Sequence, residues 1–320
     1  MTDHSQLDAD LAQFEAAEAS EADQLAKTQA ANAALVQQHA QDQATIAALQ
    51  AELAQQRPAC LFGANVGGWE GETAQAAYTR ISAAWPLQAV RVWGHNGADW
   101  QHVGIPGYLP PSLPLCIDLG SAAGWTTAQW DALGQIGTLD PGREIVVTIE
   151  HEPENDPGTT IPGWQQRQQR AASLLAGSKL TLCPTLMGGT YIPGRETNGT
   201  WQQWLDFDHT GIGAIGADSY QWGKTDATAD TASKVLQPVL DAGTTLGLPV
   251  VIAELGTVNA ISDGARAQFL TDAITLLRGA DVRMCLYYES WRGSRGPWNL
   301  LRPDGSSPKA AATWANACKS

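Results

Sequence analysis

The first 57 residues of this 320-residue chain contain no glycine, proline, tryptophan or cysteine, although the whole chain holds 32 Gly, 17 Pro, 13 Trp and 5 Cys. A segment without glycine or proline has few means of turning back on itself, so a globular fold over 1–57 is excluded and a rod remains. Basic residues are scarce as well, with 19 Lys and Arg against 33 Asp and Glu and a formal net charge of −14. Phosphate recognition needs clustered cations, and none are visible, so nucleic acid is excluded as a partner. No apolar run approaches the roughly 20 residues of a membrane span. Met1 to Leu7 is too polar and acidic for a secretory leader. The absence of CxxC removes zinc ribbons and thioredoxin-like redox sites.

What the first segment does have is a spaced apolar stripe. Leu7, Leu11, Phe14, Leu25, Leu35, Ile46, Leu49 and Leu53 fall on alternating steps of four and three, with Glu18, Glu21, Thr28, Asn32, His39 and Asp42 filling the same register. A 3.5-residue period keeps one stripe facing a partner helix, which predicts a coiled coil over 7–53 and a homo-oligomer built through it. The polar middle of the stripe weakens the seam and can fix register, while dimer and trimer stay open.

From Cys60 onward, β-rich runs alternate with helical ones. Strands are expected at 61–66, 89–93, 115–119, 144–150, 180–186, 212–220, 249–255 and 282–288, and helices at 73–84, 126–136, 164–176, 228–246, 265–278 and 308–318. The strands are near-continuous apolar runs, as in a parallel sheet buried on both faces. No GxGxxG or GxxxxGK[ST] follows any of them, so a nucleotide-binding sheet has no support. The fold predicted is α/β: a (β/α)8 TIM barrel over 58–320, preceded by the N-terminal coiled-coil helix over 1–57. Cys60 and Cys318 flank the barrel at its two ends, which would meet on closure, so a disulfide between them is one option.

In such a barrel the functional groups sit at the C-terminal ends of the strands. Those ends supply Trp69, Arg91, Trp93, His95, His151, Tyr220, Trp222 and Trp291, together with several carboxylates. Indoles beside hydrogen-bonding groups suit sugar rings, which present apolar C–H faces and many hydroxyls. Glu254 is the only acid in the apolar run Pro249-Val250-Val251-Ile252-Ala253, where a lone carboxylate without purpose would be costly. Glu152, at the end of the fourth strand, lies across the barrel mouth from it. Glycoside hydrolysis needs such a pair. Glu150 and Glu154 share the parity of Glu152; the first could face the interior with it, the second should lie in the loop beyond Pro153. Asp118 and Glu289 are rival carboxylates. No second His cluster supports a metal, and neither metal nor cofactor is expected.

These motifs resemble the retaining (β/α)8 glycosidases of clan A, which carry the acid/base at the end of strand 4 and the nucleophile at the end of strand 7. Ile149-Glu150-His151-Glu152-Pro153 is most similar to the family 26 type, which includes β-mannanases, and Ile252-Ala253-Glu254-Leu255-Gly256 resembles its nucleophile strand. The resemblance implies Glu152 as acid/base, Glu254 as nucleophile and His151 as a partner near the sugar 2-hydroxyl. It further implies Tyr220 as the phenol bonded to the nucleophile, Trp291 as a stacking indole and Arg91 as the nucleophile's support. Pro153-Glu154-Asn155 and Glu289 depart from the pattern, and strict alternation would point His151 away from Glu152 unless the strand end is irregular.

A sugar-cleaving barrel on an acidic helical stalk resembles phage tail-associated depolymerases and receptor-binding proteins. That layout implies a virion location, a host-surface polysaccharide as substrate and other tail proteins as partners. Two alternatives stand beside it: a non-catalytic carbohydrate-binding adhesin with a glycosidase-derived barrel, and a cytoplasmic or non-classically exported hydrolase whose stalk only oligomerises it.

Overall fold

A computed structural model of the chain describes residues 13–14, 24–42, 45, 60–66, 72–93, 107–139, 142–289, 298–301 and 306–319. The chain divides into two units, Met1–Pro58 and Ala59–Ser320. In the first unit, residues 24–42 form helix α1. Its apolar side chains Leu25, Leu35 and Val36 are 59, 67 and 71% exposed. The structure supplies a helix over 24–42 with exposed apolar side chains, and the pairing expected of a coiled coil over 7–53 is not shown by it. The seam over this stretch is Leu25, Thr28, Asn32, Leu35, His39 and Asp42, mostly polar. Apart from residues 13–14 and 45, the remainder of the 7–53 stripe lies outside the described residues.

The second unit is a parallel sheet wrapped by helices. Its strands are β1 (Leu61–Asn65), β2 (Ala89–Trp93), β3 (Leu115–Asp118), β4 (Ile145–Thr148), β5 (Thr181–Leu182), β6 (Thr185–Met187), β7 (Ile215–Gln221), β8 (Val250–Thr257) and β9 (Val282–Tyr287). The helices are α2 (Ala74–Ala84), α3 (Thr127–Leu139), α4 (Ile161–Leu175), the short α5 (Gly188–Tyr191) and α6 (Trp201–Trp204), α7 (Ala232–Leu246), α8 (Asp263–Arg278) and α9 (Pro308–Ala317). Thr73, Thr160, Thr231 and Ser262 start α2, α4, α7 and α8 by accepting a first-turn N–H, and Gly247 ends α7 in the left-handed conformation.

The strand order is β5-β4-β3-β2-β1-β9-β8-β7-β6, with every pairing parallel. The two ends of that order are halves of one expected strand, 180–186, broken at Cys183 and Pro184. Proline has no N–H for a ladder. Leu182 pairs with Val147 of β4 and also bridges Ile212, while the Leu182 carbonyl accepts from Gly213 N–H at 3.0 Å and the Pro184 carbonyl from Gly216 N–H at 2.8 Å. The sheet thus curls round until its ends meet, in a TIM-like α/β fold. Gly211-Ile212-Gly213-Ala214-Ile215-Gly216 spells a dinucleotide pattern but leads into β7 instead of leaving a strand for a helix.

Two apolar cores result. The outer one, between sheet and helices, includes Phe62, Ile81, Leu115, Leu236, Leu270 and Trp314. The inner one is small: Ala89, Cys116, Val146, Cys183, Ala214, Val251, Ala253, Met284 and Leu286. Above this floor the same strands turn polar, with Asn65, Arg91, Asp118, Thr148, Thr185, Asp218 and Glu254 all buried. All five cysteines are free and buried, so Cys60 and Cys318 are not bridged; burial pushes each thiol up to about 12 and leaves it unreactive. Trp204 packs edge-on against Trp164 and donates to the Asn198 carbonyl, a packing role. Among the described residues, no helix is long and apolar enough to cross a membrane.

Candidate active site

The site is organised around Arg91, which is completely buried. Its Nη2 donates to Asp118 Oδ2 at 2.6 Å, and its Nη1 donates to Glu254 Oε1 at 2.9 Å and to Asp218 Oδ1 at 3.1 Å. His151 Nδ1 lies 2.6 Å from the same Asp118 Oδ2. Tyr220 donates its hydroxyl to Glu254 Oε2. Residues from β2, β3, β7 and β8 and from the loop after β4 therefore converge on one point.

Glu254 gets there through a fault in β8. Val251 and Ala253 belong to the inner core, Ile252 and Leu255 to the outer one. Plain alternation would send Glu254 outward with Ile252. The register against β7 shifts between Ala217 and Asp218, pairing Asp218 with Glu254, and the register against β9 is irregular between Ile252 and Leu255. This extra residue is a bulge, and it turns the carboxylate inward. Beside it Gly256 is required. A Cβ there would come within 2.5 Å of the Tyr220 ring, which lies over β8 to reach Glu254.

Glu152 gets there through backbone strain. β4 stops at Thr148, and Glu150 and Glu152 then adopt φ of 52° and 51°, left-handed values that cost a non-glycine residue about 1–3 kcal/mol each. These kinks provide the irregular strand end that lets His151 and Glu152 serve one site. Glu152 Oε2 accepts from Asn155 Nδ2 at 3.0 Å. Glu150, by contrast, turns away from the barrel interior. It takes Arg167 Nε and Nη2 at 2.6 Å each, with Thr159 at 3.2 Å. Glu154 lies beyond Pro153 in a short 3-10 turn (Pro153–Asn155), where its buried Oε1 accepts from Met187 N–H at 2.6 Å and Thr190 Oγ1 at 2.5 Å.

The electrostatics sort these groups. Burial alone would raise Asp118, but the charges of His151 and Arg91 hold it well below the usual carboxylate range. Burial works against the imidazolium of His151, yet Asp118 outweighs it and lifts His151 up to about 9. Arg91 and His151 thus bring two positive charges and Asp118 returns one, so one further carboxylate balances the cluster. Burial and the Asp218 charge push Glu254 upward against Arg91. Burial, partly offset by Arg91, pushes Asp218 up to about 7. Glu254 has a donor on each oxygen, whereas Asp218 Oδ2 is buried with none. The two donors on Glu254 favour placing the remaining negative charge there in preference to Asp218. Burial also raises Glu152, with His151 and Asn155 opposing it.

Around this centre, Trp93 donates its indole N–H to Asn65 Oδ1 at 2.7 Å, meets His151 at a ring separation of 5.0 Å and carries the Arg91 guanidinium 4.2 Å above its face. On the other side, a cleft of about 450 Å3 is lined by Asn155, Met187, Ile192, Arg195, Tyr220 and Trp222, among others. Trp222 packs edge-on against Trp298, 5.6 Å away. The structure therefore brings together Glu152, Glu254, Arg91, Trp93, His151 and Tyr220, with Trp222 along the cleft. Trp69, His95 and Trp291 lie outside the described residues.

The rivals have other duties. Asp118 binds Arg91 and His151. Glu289 is fully buried and accepts from Leu300 and Leu301 N–H at 2.7 and 3.0 Å, anchoring the segment whose Trp298 backs Tyr220. Sequence reasoning did not single out Asp218, Asn155 or Asn65. Asp218 had a signal: it stands two residues before Tyr220, so both share one face of the strand. His151, Asp218 and Glu254 also place one potential metal-binding atom each within 4.8 Å of one another. The Arg91 guanidinium bonded to both carboxylates already supplies the positive charge there.

By sequence, no protein-family model and no curated protein matches this chain. Solved structures do. An endo-β-1,4-glucanase from Xanthomonas axonopodis pv. citri, a triple mutant, is similar with a TM-score of 0.59 at 14% identity, over 82% of this chain and 100% of that one. A GH128 (subgroup II) endo-β-1,3-glucanase from Sorangium cellulosum gives 0.55 at 15% identity, over 81% and 98%. GH26C from a Muricauda species gives 0.53 at 12% identity, over 84% and 87%. At such identities the likeness establishes a fold: this chain carries the TIM-like α/β fold of these glycoside hydrolases.

Proposed function

We propose that the protein is a retaining glycoside hydrolase acting on a β-linked polysaccharide, with Glu254 as nucleophile and Glu152 as acid/base. The observation that carries this reading is the unequal treatment of the two carboxyl groups. Glu254 is bonded by Arg91 and Tyr220, one on each oxygen, which suits a carboxylate about to attack. Glu152 is raised by burial, which suits a group that gives a proton, and it accepts from Asn155 alone among the described side chains. Glu152 protonates the leaving oxygen as Glu254 attacks the anomeric carbon, breaking the glycosidic bond and forming a glycosyl-enzyme. Glu152, now ionised, takes a proton from water, whose oxygen displaces Glu254. His151, protonated on Asp118, stands beside both as a donor to a sugar hydroxyl.

The open cleft leading from Asn155 to Trp222 suits an internal stretch of polymer, which supports endo cleavage, and the resemblance of Ile149-Glu150-His151-Glu152-Pro153 to the family 26 type supports a mannanase-like specificity. For the first unit, the reading is an oligomeric stalk over 7–53 that displays the barrel on a virion tail, against host surface glycan. The exposed Leu25, Leu35 and Val36 support a second copy as its partner.

The test is incubation with β-mannans, β-glucans and bacterial surface polysaccharides, with Glu152→Gln as control. Reducing ends released by the wild type alone, with the anomeric configuration retained by NMR, support the proposal. Binding of a glycan without any cleavage would replace it with the adhesin reading, and inversion would refute the nucleophile. Light scattering of the full chain tests the stalk: a monomer would refute it.

A further inference from the structure

The turn carrying Glu152 is flanked by two buried carboxylates that the reaction leaves idle. Glu150 and Glu154 stand one residue either side of the His151-Glu152-Pro153 step, and each is tied to a different wall. Glu150 is gripped by Arg167 and Thr159 of the α4 region, its carbonyl accepts from Trp164 Nε1 at 3.1 Å, and its N–H donates to the Gly120 carbonyl at 2.7 Å. Glu154 accepts from the Met187 N–H and from Thr190, at the start of α5. Between them the Glu152 N–H donates to the Thr185 carbonyl of β6 at 3.1 Å. Two left-handed non-glycine residues persist only where the surroundings over-determine them, and these bonds are what surrounds them.

We propose that Glu150 and Glu154 are positioning residues that pin the Glu152 turn from both sides. Pinned in this way, the Glu152–Asn155 pair is held against the cleft, of which Asn155 and Met187 are walls. Regular continuation of β4 would alternate the side chains and separate His151 from Glu152; the two clamps hold the departure open. The proposal rests on the reading of Glu152 as acid/base.

The experiment uses the full chain with Glu154→Ala, Glu154→Gln and Arg167→Met, the last releasing Glu150. It measures kcat and KM on a soluble polysaccharide that the wild type cleaves, and amide hydrogen exchange at Glu152 and Met187 by NMR. Misplacing a reacting group by an ångström costs about a hundredfold, so Glu154→Ala and Arg167→Met should lower kcat by about that factor while KM moves by less than about threefold. Glu154→Gln keeps the acceptor oxygen and should restore most of kcat. Unchanged kcat in Glu154→Ala and Arg167→Met, or equal losses in Gln and Ala, would overturn the proposal. If Glu154→Ala does not fold, Glu154→Gln and Arg167→Met carry the test. If the wild type cleaves no glycan, the functional reading fails on its own account and exchange decides the clamp: faster exchange at the Glu152 amide supports it, unchanged protection sinks it.

Discussion

Glu254 and Glu152 reach the same point from opposite kinds of backbone. Glu254 stays inside a paired strand and is turned inward by one extra residue in β8, with neighbours hydrogen-bonded on both sides. Glu152 stands beyond the end of β4 on a turn with two left-handed residues. The first arrangement fixes a carboxylate within a buried ion-pair network. The second keeps a carboxyl half-buried, with Asn155 its one side-chain donor among the described residues. On the proposed roles, the nucleophile has to remain ionised and aimed, whereas the acid/base changes protonation twice in a cycle, and the two supports suit those demands.

The difference can be broken from either side. The largest effect should come from Glu254→Gln, which keeps the shape but removes the charge. Turnover should fall by at least about ten-thousandfold, with glycan binding retained by calorimetry, since the proposed mechanism places the covalent intermediate on Glu254. Hydrolysis at wild-type rate would show that the bulge delivers the wrong residue. Next comes Glu152→Ala, expected to cost about a hundred- to ten-thousandfold on polysaccharide. The loss in the glycosylation step should be far smaller on a nitrophenyl glycoside, whose leaving group needs no proton; equal losses in that step on both substrates would deny Glu152 its acid role.

Smaller effects concern pH. His151 is raised to about 9 in the fold against about 6.5 unfolded, so its contribution to stability is complete below about 6.5 and fades as pH climbs to about 9. Asp118→Asn should remove that decline in a plot of Tm against pH, and an unchanged decline would detach His151 from Asp118. Glu289 shows the same sign in a lower window. Burial raises it to about 7, so its contribution is complete below about 4.5 and lost on the way to about 7. Glu289→Gln should flatten that part of the curve while leaving kcat nearly unchanged, which separates a buried anchor from the carboxylates at the mouth.

The strands were legible because both faces of a parallel sheet are buried, so apolar runs such as 89–93 and 282–287 stand out without needing a phase. The break at 183–184 was missed, since 180–186 was read as one strand although Pro184 stands in the run and cannot donate to a ladder. Phase was harder. Nothing in Glu150-His151-Glu152 announces two left-handed residues, because that conformation is imposed by Arg167, Thr185 and Gly120 from three other places in the chain. The same holds for Glu254: its isolation among apolar residues marked it, but the bulge that aims it is a property of three strands together. Asp218 was overlooked because its importance lies in what it shares with Arg91, which is 127 residues away. In the N-terminal segment the period was plain, and residues 24–42 are helical with Leu25 and Leu35 of the stripe exposed.

The sheet closes through β5 and β6, two and three residues long, with a proline between them. Every other neighbouring pair in the ring shares a longer or unbroken ladder. The joint between β5 and β6 adjoins Met187, Gly188 and Gly189, which form one wall of the cleft. One wall of the cleft is therefore carried by the short ladders of β5 and β6, whereas Glu254 sits in the seven-pair ladder between β7 and β8.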